Sequence, residues 1–171
     1  MLENVRGLQI FVLMLRQDDP YKCTAARLAR FGLAKALYHV RQIPQDALVL
    51  NPMAERIILS CDSQKYPKLI AIDCSWEKVQ REFARGLPGQ ARRLPTLLAA
   101  NPTNYAKRHK LSSAEALAAA SFIMGFRETA NKLLSKFKWG ETFLTLNNEL
   151  LEAYSEATSE EAYAAIEAQF F

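Results

Sequence analysis

The sequence predicts an α/β fold: a mainly parallel sheet flanked by helices, with a helical segment at the end of the chain. Three observations carry this. Short, unbroken apolar runs recur through the first hundred residues, and such runs suit strands covered on both faces. Between them stand polar turns and helical patterns. From residue 112 onward, capping signals and helical spacing replace the apolar runs.

In chain order, LQIFVLML at 8–15 predicts the first strand. It is too short to cross a bilayer, and MLENVRG before it offers no signal-peptide pattern. RQDDPYKCT is a polar loop. AARLARFGLAKALY at 25–38 predicts a helix, with Leu28, Phe31 and Leu37 near helical spacing and Thr24 as its N-cap. ALVL (47–50), RIILS (56–60) and KLIAID (68–73) predict short strands. SWEKVQREFA (75–84) reads as a helix and GLPGQARR (86–93) as a basic loop. LPTLLAA (94–100) is a further apolar run, stopped by the polar loop NPTNYAKRHK. SSAEALAAASFIMGF (112–126) opens with the capping box Ser112-x-x-Glu115 and continues as a thin, alanine-rich helix suited to close packing. Helices follow over 127–137, 139–154 and 159–169, the last behind a second box, Thr158-x-x-Glu161.

Charge is unevenly spread. Residues 1–110 carry 18 of the 22 Lys and Arg against 9 acids, whereas residues 111–171 carry 4 bases against 9 acids. This asymmetry suggests that a polyanion faces the first part of the chain, although a solvated surface with no partner shows the same imbalance. Cys23, Cys61 and Cys74 lack metal-ligand or disulfide spacing, and His39 and His109 stand far apart. A metal centre is not expected, and the compartment expected is a reducing one, the cytoplasm. No glycine-rich phosphate loop and no Ser–His–Asp set is present.

In open parallel sheets, ligands bind beyond the carboxyl ends of the strands. That rule selects Asn51-Pro52, Asp73-Cys74-Ser75-Trp76 and Asn101-Pro102-Thr103-Asn104-Tyr105. Asp73 reads either as an N-cap for the helix beginning near Ser75 or as a carboxylate facing a ligand's positive charge. Trp76 reads either as a core anchor or as a flat face over a cation. An Asp and a Trp at one strand exit suit a cationic ligand with an aromatic part.

Six motifs in order, DPYKCT (19–24), LVLNP (48–52), IDCSW (72–76), RLPTLLAANPTNYAK (93–107), LSSAEALAAA (111–120) and LLSKFKWGETFLTLNNELLEAY (133–154), resemble the small-subunit ribosomal RNA aminocarboxypropyltransferases, whose fold is SPOUT-like. The resemblance spans about residues 8–165. It implies one unit over 1–171, with an N-terminal α/β part over about 1–66 and a cofactor-binding part over about 67–171. The latter would be closed by a deep C-terminal trefoil knot in which the LSSAEALAAA helix threads past the AANPTNY loop. It implies transfer of the 3-amino-3-carboxypropyl group of S-adenosylmethionine to ring nitrogen 3 of a (methyl)pseudouridine, with release of methylthioadenosine, during ribosome biogenesis. Two departures from the family pattern stand in loops: Asn51 where serine is common, and Ala106 where glycine is common.

The resemblance also implies residue roles. Thr24 meets the amino-acid end of the cofactor, Leu50 and Pro52 pack on its ribose, and Ile72 offers it backbone groups. Asp73 lies near the sulfonium; the proton of the ring nitrogen goes either to Asp73 or to solvent. Trp76 and Val79 hold the methyl group in an apolar pocket. Leu94, Leu97, Leu111 and Ser112 surround the adenine. Phosphates of the RNA would meet Lys22, Arg27, Arg30, Arg92, Arg93, Lys107, Arg108 and Lys110. A monomer is expected, because the helical segment covers the surface through which SPOUT enzymes pair. Two other readings use the same basic face: a knotted S-adenosylmethionine-dependent RNA methyltransferase and a non-catalytic ribosome-assembly protein.

Overall fold

The computed structural model of the protein describes residues 7–15, 23–73, 80, 81 and 84–171. Its centre is a five-stranded, all-parallel sheet built from β1 (Gln9–Met14), β2 (Lys35–Leu37), β3 (Ala47–Leu50), β4 (Lys68–Asp73) and β5 (Gln90–Arg92), in the order β2-β1-β4-β3-β5. β1 and β4 pair along their full length, from Gln9 opposite Lys68 to Met14 opposite Asp73.

Alternation along these strands sorts side chains onto two faces. Ile10, Val12, Leu48, Leu50, Leu69 and Ala71 join the larger core beneath the helices. Phe11, Leu13, Ala47, Val49 and Ile70 join a smaller cluster with Leu37 and Ile43, against which Val40, Ile72 and Leu87 pack. Both faces are covered, which is why the central strands are apolar between their ends, with Gln9, Lys68 and Asp73 at strand termini.

The helices are α1 (Thr24–Arg30), α2 (Ser113–Ile123), α3 (Arg127–Leu134), α4 (Gly140–Glu156) and α5 (Glu160–Phe170). α2 packs on β4 and on α1, α3 and α4. Its alanines at 114, 118, 119 and 120 are buried, so the small side chains bring its backbone close to the sheet. Arg127 of α3 forks onto Glu152 of α4, with one arm at 2.6 Å.

Several expectations are corrected. The helix expected over 25–38 ends at Arg30, because Gly32 turns the chain at φ 71° and Lys35–Leu37 pairs with the edge of β1 as β2. The N-cap of α1 is Cys23, whose sulfur accepts the Ala26 N–H; the Thr24 hydroxyl accepts the Ala114 N–H instead. RIILS is not a strand: Ile57 makes one parallel bridge to Arg93, and a 3-10 turn follows at Ser60–Gln64. The basic loop 86–93 contains β5. α5 is capped by Ser159, one residue later than the expected Thr158. SWEKVQREFA falls largely outside the described residues, although Gln80, Arg81 and Ala84 are helical.

LPTLLAA is buried and extended but pairs with no strand along its length; Leu98 makes a single antiparallel bridge to Arg108. Side chains of the helical segment take the place of a neighbouring strand. Asn147 accepts the Leu98 N–H and donates to the Leu98 carbonyl, both at 2.8 Å. The Tyr154 hydroxyl donates to the Thr96 carbonyl at 2.9 Å, and Glu167 accepts the Thr96 N–H at 2.8 Å.

Candidate active site

The strand order places a switch point between β1 and β4. The chain leaves β1 for β2 on one side and later leaves β4 for β5 on the other, and the crevice at such a reversal is where ligands bind in open parallel sheets. There the Leu15 N–H donates to the Asp73 carbonyl at 3.0 Å. The Asp73 side chain, half-buried, lies at the exit of β4.

Its fixed partner is Cys23, fifty residues earlier in the chain. The Cys23 thiol donates to Asp73 Oδ2 at 2.8 Å. Burial, and then the hydrogen bond to Asp73, pushes this thiol from 9.0 up to about 11. The sulfur is therefore held as a neutral donor and not as a thiolate nucleophile. It does two jobs at once: it caps α1 and it orients one oxygen of Asp73, while no bond engages Oδ1 among the described residues; the helix that Asp73 was expected to cap begins outside them. Thr24, the next residue, ties α1 to the start of α2 through its 3.2 Å bond from Ala114.

The loop after LPTLLAA is tied to the start of α2, which Thr24 in turn holds beside α1. Glu115 is fully buried, and each of its carboxylate oxygens accepts two N–H bonds. Oε1 takes those of Ala100 (2.6 Å) and Asn101 (3.0 Å); Oε2 takes the Ser112 N–H (2.7 Å) and the Asn101 side-chain amide (2.8 Å). Asn101 also donates to the Lys110 carbonyl and accepts from Asn104. Both ends of the loop are thus tied to the first turn of α2. Inside it, Ala106 sits at φ 61° and His109 at φ 56°, a conformation that costs a side-chain-bearing residue about 1–2 kcal/mol. A glycine, which the resemblance expects at the first position, adopts that conformation without the cost.

The expected cofactor residues are distributed as follows. Leu50 is buried at the end of β3 and Pro52 is exposed beyond it, in a turn closed by the Asn51 side chain accepting the Met53 N–H at 2.8 Å. A serine hydroxyl closes the same kind of turn, so Asn51 conserves the geometry. Ile72 lies opposite Leu13 in the β1–β4 ladder. In the run 94–100, the peptide groups of Thr96, Leu98 and Ala99 are engaged. The Leu94 peptide groups and the Leu97 N–H enter none of these bonds. Ser112 spends its N–H, carbonyl and hydroxyl on the start of α2, and Leu111 precedes it. Trp76 and Val79 lie outside the described residues, as does Lys22.

Among the expected phosphate contacts, Arg92 is corrected. It is 5% exposed, pairs with buried Asp62 at 3.4 Å, donates to its neighbour's carbonyl and lies over the Tyr66 ring. Its charge holds the 3-10 turn to β5 and does not face solvent. Arg93 is half-buried; Arg30, Lys107, Arg108 and Lys110 are exposed, with Arg108 stacked over Phe171. Arg27 is half-buried beside the rings of Phe31 and Phe137. Among the described residues no cluster of His, Cys, Asp and Glu has the makings of a metal site, and no helix is long and apolar enough to cross a membrane.

Sequence reasoning missed Cys23 as the partner of Asp73, although it lies inside the DPYKCT motif. It read Glu115 only as half of a capping box, because its other donors come from residues fourteen and fifteen positions away.

Residues 48–171 match the family model described as "Ribosome biogenesis protein, C-terminal". The chain is 41% identical over 167 residues to the 16S rRNA aminocarboxypropyltransferase of Methanosarcina mazei, covering 96% of each. It is 43% identical over 169 residues to that of Methanopyrus kandleri, covering 94% of this chain and 97% of that protein. The solved structure of the SAM-dependent rRNA:acp-transferase Tsr3 from Vulcanisaeta distributa aligns with a TM-score of 0.80 at 37% identity, over 86% of this chain and 83% of that one. On full-length similarity and shared architecture, the chain belongs to the 16S rRNA aminocarboxypropyltransferase family.

Proposed function

We propose that the protein is an S-adenosylmethionine-dependent transferase that places the 3-amino-3-carboxypropyl group on ring nitrogen 3 of a (methyl)pseudouridine in small-subunit ribosomal RNA. The observation that carries this, within a chain of this family, is the oriented Asp73 carboxylate at the β1–β4 switch point.

The residues present fit the cofactor. A carboxylate with one oxygen fixed by Cys23 suits a sulfonium cation. Apolar Leu50 and Pro52 suit the ribose face, with Ile72 beside them. The Leu94 peptide groups and the Leu97 N–H, which no bond engages among the described residues, suit the hydrogen-bonding edge of adenine, with Leu111 across the loop. Thr24 keeps a hydroxyl hydrogen to donate, because it accepts from Ala114. Trp76 and Val79 are assigned to the apolar side of the site. When bound, S-adenosylmethionine supplies a sulfonium with activated carbons, and loss of the aminocarboxypropyl group leaves methylthioadenosine.

The chain's own contribution is alignment, because an enzyme accelerates the carbon that it sets against the acceptor. The two strapped ends of the 101–111 loop and the Cys23–Asp73 bond fix that alignment before substrate arrives. The ring nitrogen must lose a proton, either to Asp73 or to solvent. The main role of Asp73 is to hold the cation. Lys22, Arg27, Arg30, Arg93, Lys107, Arg108 and Lys110 are assigned to RNA phosphates, with Arg92 removed from that set. The family's SPOUT-like trefoil knot, with α2 as the threaded element, one functional unit over 1–171, a monomeric state and cytoplasmic location complete the reading.

Calorimetry tests it. Asp73→Asn should weaken S-adenosylmethionine binding by at least about tenfold, since a contact ion pair is worth a few kcal/mol at intermediate dielectric. It should leave S-adenosylhomocysteine, which lacks the sulfonium charge, bound as before. Equal affinity of wild type and variant for S-adenosylmethionine, with transfer lost, would move Asp73 from cation binding to the base role.

A further inference from the structure

We infer that Phe31 is a stacking platform for an RNA base next to the modified nucleotide, with Arg27 and Lys136 as its phosphate contacts. The inference rests on the reading above that the substrate is RNA.

Two of the chain's acid-free basic stretches meet at Phe31. Residues 24–45 carry Arg27, Arg30, Lys35 and Arg41, and residues 129–140 carry Lys132, Lys136 and Lys138; neither contains Asp or Glu. The second lies inside the half of the chain whose overall balance is acidic, so bulk charge hides it. The fold brings the two together. Phe31 is the C-cap residue of α1, and its N–H is held by the Arg27 carbonyl at 3.1 Å. Lys136 follows α3, and its ammonium lies 5.1 Å from the centre of the Phe31 ring. The Arg27 guanidinium lies 5.9 Å from that ring and 5.0 Å from the ring of Phe137, which itself packs 4.9 Å from Trp139.

Helical spacing predicted Phe31 on an inward face. It is instead 51% exposed. A single exposed aromatic residue is ordinary. One gripped between cations from two segments, on a surface without nearby acid in either segment, has the composition of a single-strand nucleic-acid site: a π face for a base and positive charge for its backbone. The place also fits. α1 begins at Cys23 and Thr24, against Asp73 and Ala114, and ends at Phe31. Its seven residues span about 10 Å, which sets the platform beside the reaction site and not in it.

The test is binding of a short single-stranded RNA of mixed sequence, carrying one 2-aminopurine, to the full chain. Anisotropy and 2-aminopurine quenching are read for wild type, Phe31→Ala, Phe31→Trp and Lys136→Ala. Loss of one stacked base corresponds to about fivefold to 150-fold weaker binding. Phe31→Ala should show that loss together with lost quenching, while Phe31→Trp should restore both. Lys136→Ala should lower the salt slope by about 0.7, the value for one single-strand phosphate contact. S-adenosylmethionine affinity should be the same in all four proteins. Unchanged RNA affinity and quenching in Phe31→Ala, with wild-type RNA binding intact, would overturn the platform and leave the patch to a protein partner. Absence of salt-dependent RNA binding in the wild type would overturn the RNA reading and the platform with it.

Discussion

Cys23 shows how much chemistry one side chain can carry at this site. A serine would cap α1 at least as well, and it too would donate to Asp73. The thiol differs in its titration. Its proton is retained in the folded chain up to about pH 11, whereas an unfolded chain gives it up near 9.0. The folded state therefore binds more protons across that window, so stability is fully present below about pH 9 and falls as pH rises towards 11. Tyr154 and Tyr163, both raised by burial above their ordinary 10.0, add to the loss at the upper end. Denaturant unfolding at about pH 8 and about pH 9.5 should show a decline in wild type that Cys23→Ser reduces. Identical declines in the two proteins would mean that the thiol is not held protonated by the fold. Asp73 itself was legible as chemistry, because a charged residue at the exit of a buried strand is unusual. Its partner was not, since nothing in local spacing relates residues fifty positions apart.

At the scale of elements, the continuous apolar runs at β1, β3 and β4 were readable because burial on both faces confines polar residues to the strand ends. β2 and β5 were not. KAL and QAR carry no strand pattern, and they are strands only because the edges of β1 and β3 accept them. The opposite error occurred at LPTLLAA. Its composition is that of a strand, but Asn147, Tyr154, Glu167 and Glu115 supply the hydrogen bonds that a neighbouring strand would have made. This run and the loop after it are therefore as stable as those side chains allow. Glu115→Gln is the sharpest probe. An amide placed at Oε2 would oppose two donors, the Ser112 N–H and the Asn101 side chain, and the alternative flip would oppose Ala100 and Asn101. Either way two buried donors lose their acceptor, at about 1–3 kcal/mol each. The variant should lose about 3 kcal/mol or more of unfolding free energy and bind S-adenosylmethionine more weakly through the loosened 101–111 loop. A loss below about 1 kcal/mol would show that the carboxylate is not the strap described.

On the scale of the whole molecule, the proposed site draws on several elements. The sheet supplies Asp73 and Leu50, α1 supplies Cys23 and Thr24, and α2 with its strapped loop adjoins them through Thr24. The helical segment holds the 94–100 run in place from behind. The bulk charge pattern pointed to a polyanion, and the fold refines it: Arg92 turns inward to Asp62, while Lys136, from the acidic half, joins Arg27 at Phe31. What distinguishes this enzyme from a methyltransferase with the same cofactor is which sulfonium carbon faces the RNA, a matter of orientation that no motif spells out by itself. The most direct measurement is mass analysis of nucleosides from small-subunit ribosomal RNA incubated with the protein and S-adenosylmethionine. The account predicts a pseudouridine derivative heavier by one aminocarboxypropyl group, with methylthioadenosine as the co-product. A nucleoside heavier by one methyl group, with S-adenosylhomocysteine as the co-product, would contradict it.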